Sequence, residues 1–299
     1  MMESSSDSKR SLLSRVFLSP EEKRLRAGWR ILLQTLILVV LFFLFGLVLS
    51  FFINYLSNQI LFISQLSSLL AVTLSILIGR RLFDKRSFKS LGLDISAHAL
   101  SDILAGTLIS ALIMGLIFLA EWAIGWLQFE GFAWKIHAAE DIIANIFVYV
   151  IIFLMVAWSE ELISRGYWLQ NIEDGTNTGW AILLSSSFFA LGHATNPNVS
   201  PIAIFALVFA GFFLAFGYLR TRQLWLSMGL HFGWNLFEGV ILGFPVSGLK
   251  VFRIIIQSQT GPVLWTGGEF GPEAGLIIVP ALIIGAGLIY WYTDERRKT

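Results

Sequence analysis

Three polar clusters interrupt an apolar stretch: Glu160-Glu161-Leu-Ile-Ser-Arg165, Phe189-Ala-Leu-Gly-His193 and His231-Phe-Gly-Trp-Asn235. A carboxylate and two imidazoles can take up and return protons, and an amide can donate to a developing anion. Together they suit hydrolysis by an activated water. Each cluster sits in, or at the end of, a run apolar enough to cross a bilayer, where ionisable side chains are costly and mark function by default.

The spacings sort the residues. Adjacent helical positions point about 100° apart, so Glu160 and Glu161 cannot share one task. Glu161 and Arg165 are four apart, in the order that favours a helical ion pair. Glu160 has no such partner in its own helix and is the candidate base. His231 and Asn235 share one helix face, and Glu238, seven after His231, continues it as a candidate for the site or its rim. Asn196 lies three residues after His193 and is placed to orient it. Singly, each cluster has a plainer explanation: acids in the headgroup region, a packed histidine, interhelical polar contacts.

The elements that must position these groups are membrane helices. Hydrophobic residues make up 56% of the 299 and charged residues 14%, against about 25% charged in a soluble domain. The reading is an all-α polytopic membrane bundle of about eight spans, at 31–55, 60–79, 103–127, 141–172, 178–195, 201–219, 224–243 and 274–292. With the N-terminus placed in the cytoplasm, only Lys135, Lys250 and Arg253 of the 21 Lys and Arg fall outside. That asymmetry puts both termini inside. A net charge of +1 gives no basis for a nucleic-acid partner, and the absence of cysteine excludes disulfides, thiolate ligands and a Cys nucleophile.

The flanks read as a basic tail over 1–30, a membrane bundle over 31–293 and a short tail over 294–299. Residues 1–18 have a disordered composition. Ser19, Pro20 and Glu22 read as a helix start. The segment with Lys23, Arg24, Arg26 and Arg30 is expected along an anionic membrane surface. Residues 244–273 read as a hairpin or a re-entrant cap.

Depth decides whether the clusters meet. With a turn at 173–177, Glu160 and His193 both lie about 20–24 Å from it at about 1.5 Å per residue. An antiparallel hairpin then brings them level. His231 lies about 12 Å from the start of its helix. The levels match if the hairpin projects beyond the bilayer, and the site then lies inside the membrane, nearer the cytoplasmic face.

In this order the clusters resemble the CPBP family of intramembrane proteases, also called the Abi or CAAX-protease family, which includes the type II CAAX prenyl endopeptidases. The family pattern is Glu-Glu-x-x-x-Arg, Phe-x-x-x-His and His-x-x-x-Asn/Asp on successive membrane helices. Here these are Glu160, Glu161 and Arg165; Phe189 and His193; His231 and Asn235. The resemblance covers roughly 140–243. Many bacterial members have Phe before the Arg of the first motif, where this chain has Ser164.

The resemblance implies hydrolysis of a peptide bond in a hydrophobic or membrane-anchored peptide. It makes Glu160 and His193 the activators of a water, His231 and Asn235 the oxyanion donors, and Glu161 and Arg165 their supports. It implies an integral membrane protein of the bacterial cell membrane, with lipid and a peptide as partners. Metal-free catalysis is the expectation. If zinc binds, Glu160, His193 and His231 would hold it and leave a position for water. The main rival is a non-catalytic member of the same fold that scaffolds a partner, as in bacteriocin immunity. A small-molecule or ion transporter is a third class, since acids and His also build proton relays; it is weakened by the lack of repeat symmetry or paired broken helices.

Overall fold

The protein, seen in a computed structural model, is described over residues 12–19, 24–51 and 60–296. Its helices are α1 (Leu12–Phe17), α2 (Ala27–Ser50), α3 (Ile60–Gly79), α4 (His98–Ala123), α5 (Ala139–Glu161), α6 (Gln170–Gly175), α7 (Thr178–Gly192), α8 (Pro201–Thr221), α9 (Leu224–Asn235), α10 (Val263–Thr266) and α11 (Ile278–Arg296). Two strands, β1 (Leu127–Phe132) and β2 (Ile255–Gln259), complete it. The fold is an all-α membrane bundle. Five helical stretches are long and apolar enough to span: Ala27–Ser50, Ile60–Asp84, His98–Ala123, Ala139–Gly175 and Pro201–Thr221. The other three expected spans correspond to shorter or less apolar helices, α7, α9 and α11.

Several boundaries differ from the sequence expectation. The first span ends at Ser50, and the expected residues 52–55 lie outside the described ones. The third starts at His98, five residues early. Leu12–Phe17 is helical within the stretch read as disordered. Of the expected helix start, 20–23 lie outside the described residues; Leu18 bridges Leu25, and α2 begins at Ala27. The arginines expected on a membrane surface are partly internal. Arg24 and Arg30 are buried, and they pair with Asp174 at 3.2 Å and Asp84 at 3.3 Å. Acids at the neighbouring helix ends capture them.

Local signals set the hairpins. The Asn177 side chain accepts from the Trp180 N–H and caps α7, fixing the turn after α6. Ser200 caps α8 in the same way, with Pro201 in the first turn, where its missing N–H costs nothing. From α5 to α6 the chain stays helical, but Leu162–Leu169 is π-helical, as is Leu236–Ile241 after α9. Such widened turns gather at functional sites; here the first overlaps the Glu160–Arg165 cluster and the second directly follows Asn235, while a third, Arg80–Asp84, lies apart from the clusters in sequence.

The α4–α9 contact orients α9. Gly229 and Gly233 form a G-x-x-x-G stripe of the kind that lets membrane helices approach closely. A Cβ on Gly229 would lie 2.3 Å from the Ile103 carbonyl oxygen, and one on Gly106 would lie 2.5 Å from the Leu230 nitrogen. Ser110 Oγ then donates to the Leu230 carbonyl at 2.6 Å. With its glycine face against α4, α9 turns His231 toward α5. Gly229→Val forces backbone apart, so we expect a loss of about 1–3 kcal/mol or more, read as a lower Tm in detergent.

Between α9 and α11 the chain folds back on the bundle. β2 pairs antiparallel with β1, joining the two long connections. Gln259 Nε2 donates to the buried Glu121 carboxylate at 2.6 Å and ties β2 to α4. The undecided segment is therefore both a sheet partner and a cap.

Candidate active site

Glu160 lies on the last turn of α5, with its side chain one-third exposed. Its Oε2 is 3.8 Å from His193 Nε2 and 3.8 Å from His231 Nε2. The two imidazoles arrive from the end of α7 and the middle of α9. A separation of 3.8 Å exceeds a direct hydrogen bond but suits a bridging water. The hairpin levelling and the convergence of three helices both hold.

Each imidazole is held from behind. His193 Nδ1 is 2.9 Å from the Phe189 carbonyl. A carbonyl only accepts, so Nδ1 carries the proton and Nε2 faces Glu160 with a lone pair when the ring is neutral. His231 Nδ1 is 2.8 Å from Glu161 Oε1. Its proton donates to that carboxylate, leaving Nε2 toward Glu160. Asn196 does not orient His193 as expected. Its amide donates to the Ser247 carbonyl at 3.0 Å, and the local Phe189 carbonyl takes the orienting role.

Glu161 and Arg165 form the expected pair, 2.8 Å apart with both side chains fully buried. Ser227 Oγ also donates to Glu161. Arg165 donates to the Gly211 carbonyl at 3.1 Å and stacks over the Phe189 ring at 4.5 Å. One buried carboxylate thus links the supporting arginine to His231, and the same arginine packs the residue that holds His193.

These groups share a cavity of about 340 Å³. Glu160, His193, His231 and Asn235 all line it, with Ser164, Ser247 and Glu273. Glu238 does not line it: it is fully buried behind the wall, facing Trp234 and Glu273. Ser227, Ser247 and Glu273 were not foreseen. Ser227 had a signal, four before His231 on the same helix face; the other two lie beyond the motifs.

The fit to zinc is poor. Ligands 2.0–2.1 Å from a tetrahedral ion lie about 3.3 Å apart, closer than the 3.8 Å contacts found. Among the described residues, no three His, Asp or Glu side chains are grouped to hold a metal.

An integral membrane bundle that gathers an acid, two imidazoles and an amide around one cavity has the make-up of an intramembrane hydrolase. The family model described as type II CAAX prenyl endopeptidase Rce1-like matches residues 142–237. Over that stretch the chain is similar to the CPBP/CAAX protease family, and the match supports CAAX-type intramembrane protease activity in general terms. A comparison with curated proteins found no match.

Proposed function

We propose that the protein is an endopeptidase that cleaves a hydrophobic or membrane-anchored peptide with a water activated by Glu160 and His193. The observation that carries this reading is the placement of Glu160 Oε2 at 3.8 Å from two imidazole nitrogens on two other helices. The Glu160 carboxylate takes a proton from water while His193 Nε2 accepts its second O–H. The water oxygen attacks the scissile carbonyl carbon. The oxyanion is received by the Asn235 amide and by His231 Nε2–H, whose protonated ring is balanced by Glu161. Glu160 then returns its proton to the leaving nitrogen as the C–N bond breaks, giving an acid and an amine.

The protein's own residues suffice for this sequence without a metal. Both termini lie in the cytoplasm, a placement supported by the Lys and Arg asymmetry; the bacterial inner membrane as host rests on the family resemblance alone. Lipid surrounds the bundle, and the peptide is the reacting partner.

The test is cleavage of hydrophobic peptides by purified protein in detergent or liposomes. Wild type cleaves, His193→Ala and His231→Ala each lose about 10²-fold or more, and a strong chelator changes nothing. Absence of cleavage by wild type would overturn the assignment; inhibition by chelator reversed by zinc would overturn the metal-free step.

A further inference from the structure

Residues 246–273 supply a wall of the cavity that carries polar as well as apolar side chains. Its two polar contributors, Ser247 and Glu273, lie outside the family-matched stretch 142–237. Ser247 Oγ donates to Glu273 Oε1 at 2.6 Å. The Ser247 backbone has φ +48°, a left-handed conformation that a non-glycine residue adopts at a cost. Asn196 holds the Ser247 carbonyl in place. A strained, pinned serine that steadies a carboxyl group is a built feature.

Glu273 is 5% exposed. Behind it Glu238 is fully buried, facing Trp234 and the Glu273 backbone. The ionisable groups lining the cavity, among the described residues, are Glu160, His193, His231 and Glu273, with no Lys or Arg. The chamber therefore has two acids and no fixed cation. It is poorly matched to an anionic substrate group, including a free C-terminal carboxylate beside the scissile bond.

We propose that Glu273, steadied by Ser247, is a specificity-determining residue that receives a cationic side chain of the peptide substrate near the scissile bond. This rests on the peptidase reading above. Burial raises the Glu273 pKa, while the Ser247 hydroxyl and the nearby imidazoles draw it back. The ionised form thus lacks a full counter-charge in the free protein, and a lysine or arginine of the substrate supplies one. Apolar walls from Val246, Leu249 and Val251 receive the stem of such a side chain.

The experiment uses hydrophobic peptides that share one scissile bond and carry Lys, norleucine or Glu at each flanking position in turn. At one position wild type favours Lys over norleucine by about 10-fold or more in kcat/KM, mainly through KM, and disfavours Glu. Glu273→Gln brings the Lys/norleucine ratio close to one, and Glu273→Asp keeps a preference for Lys. Melting curves identify any variant that fails to fold, and the wild-type ratios alone then decide. Equal rates on the three peptides, a preference for Glu, or a Lys preference intact in Glu273→Gln would overturn the proposal. Cleavage of the norleucine peptide without charge preference would sink this inference and leave the peptidase reading standing. No cleavage of any peptide would end both.

Discussion

Glu160→Gln lowers kcat and kcat/KM together by about 10²–10⁴-fold, the usual contribution of a positioned general base. Glutamine keeps the shape and length of the side chain but cannot take a proton. The substitution acts on the transition state, so KM stays nearly constant. No other carboxylate can take over from the same place. Glu161, next in sequence, is turned away and already holds Arg165, His231 and Ser227. Glu273 lines the cavity but is bound to Ser247. The check is steady-state cleavage with the folded fraction measured in parallel. A residual rate within tenfold of wild type would remove Glu160 from the chemistry.

Arg165→Met destabilises the protein by about 3–5 kcal/mol, because it strands the Glu161 carboxylate without its main counter-charge in a fully buried site. The same change empties the stack over Phe189 and frees the Gly211 carbonyl. Equilibrium unfolding in mixed micelles reads the loss. Adding Glu161→Leu removes the stranded charge, so the double variant recovers much of the stability, since an apolar pair of similar volume often replaces a buried ion pair at little cost. It does not recover activity, because His231 has then lost the acceptor for Nδ1. Stability and activity should part company here, and recovery of both would show that the pair does not orient His231.

Much of this site was legible in the chain. The Glu161–Arg165 spacing, the common face of His231 and Asn235 and the hairpin arithmetic that levels Glu160 with His193 depend on helical periodicity, which is a local property. The misses involve contacts made across space. Asn196 is near His193 in sequence, but its amide reaches Ser247, about fifty residues on. The pairing of β1 with β2 joins two connections separated by five helices, α5 to α9, so neither strand signals its partner. The π-helical turns after Glu161 and Asn235 reflect tertiary packing and leave no mark in composition. The G-x-x-x-G stripe of α9 was readable, and it explains why His231 faces α5.

Arg24 and Arg30 show the same limit. Counting basic residues orients a chain, but it does not show which charges are captured. Asp84 and Asp174, distant in sequence, draw these arginines inward.

The central claim is that Glu160 and His193 act on the same water, and the most direct measurement is the cleavage rate of the Glu160→Gln/His193→Ala double variant beside the two singles. Residues that work as one unit show strongly non-additive losses. The account predicts a double variant only slightly slower than the worse single. Losses that multiply would mean the two side chains serve separate steps and would contradict it.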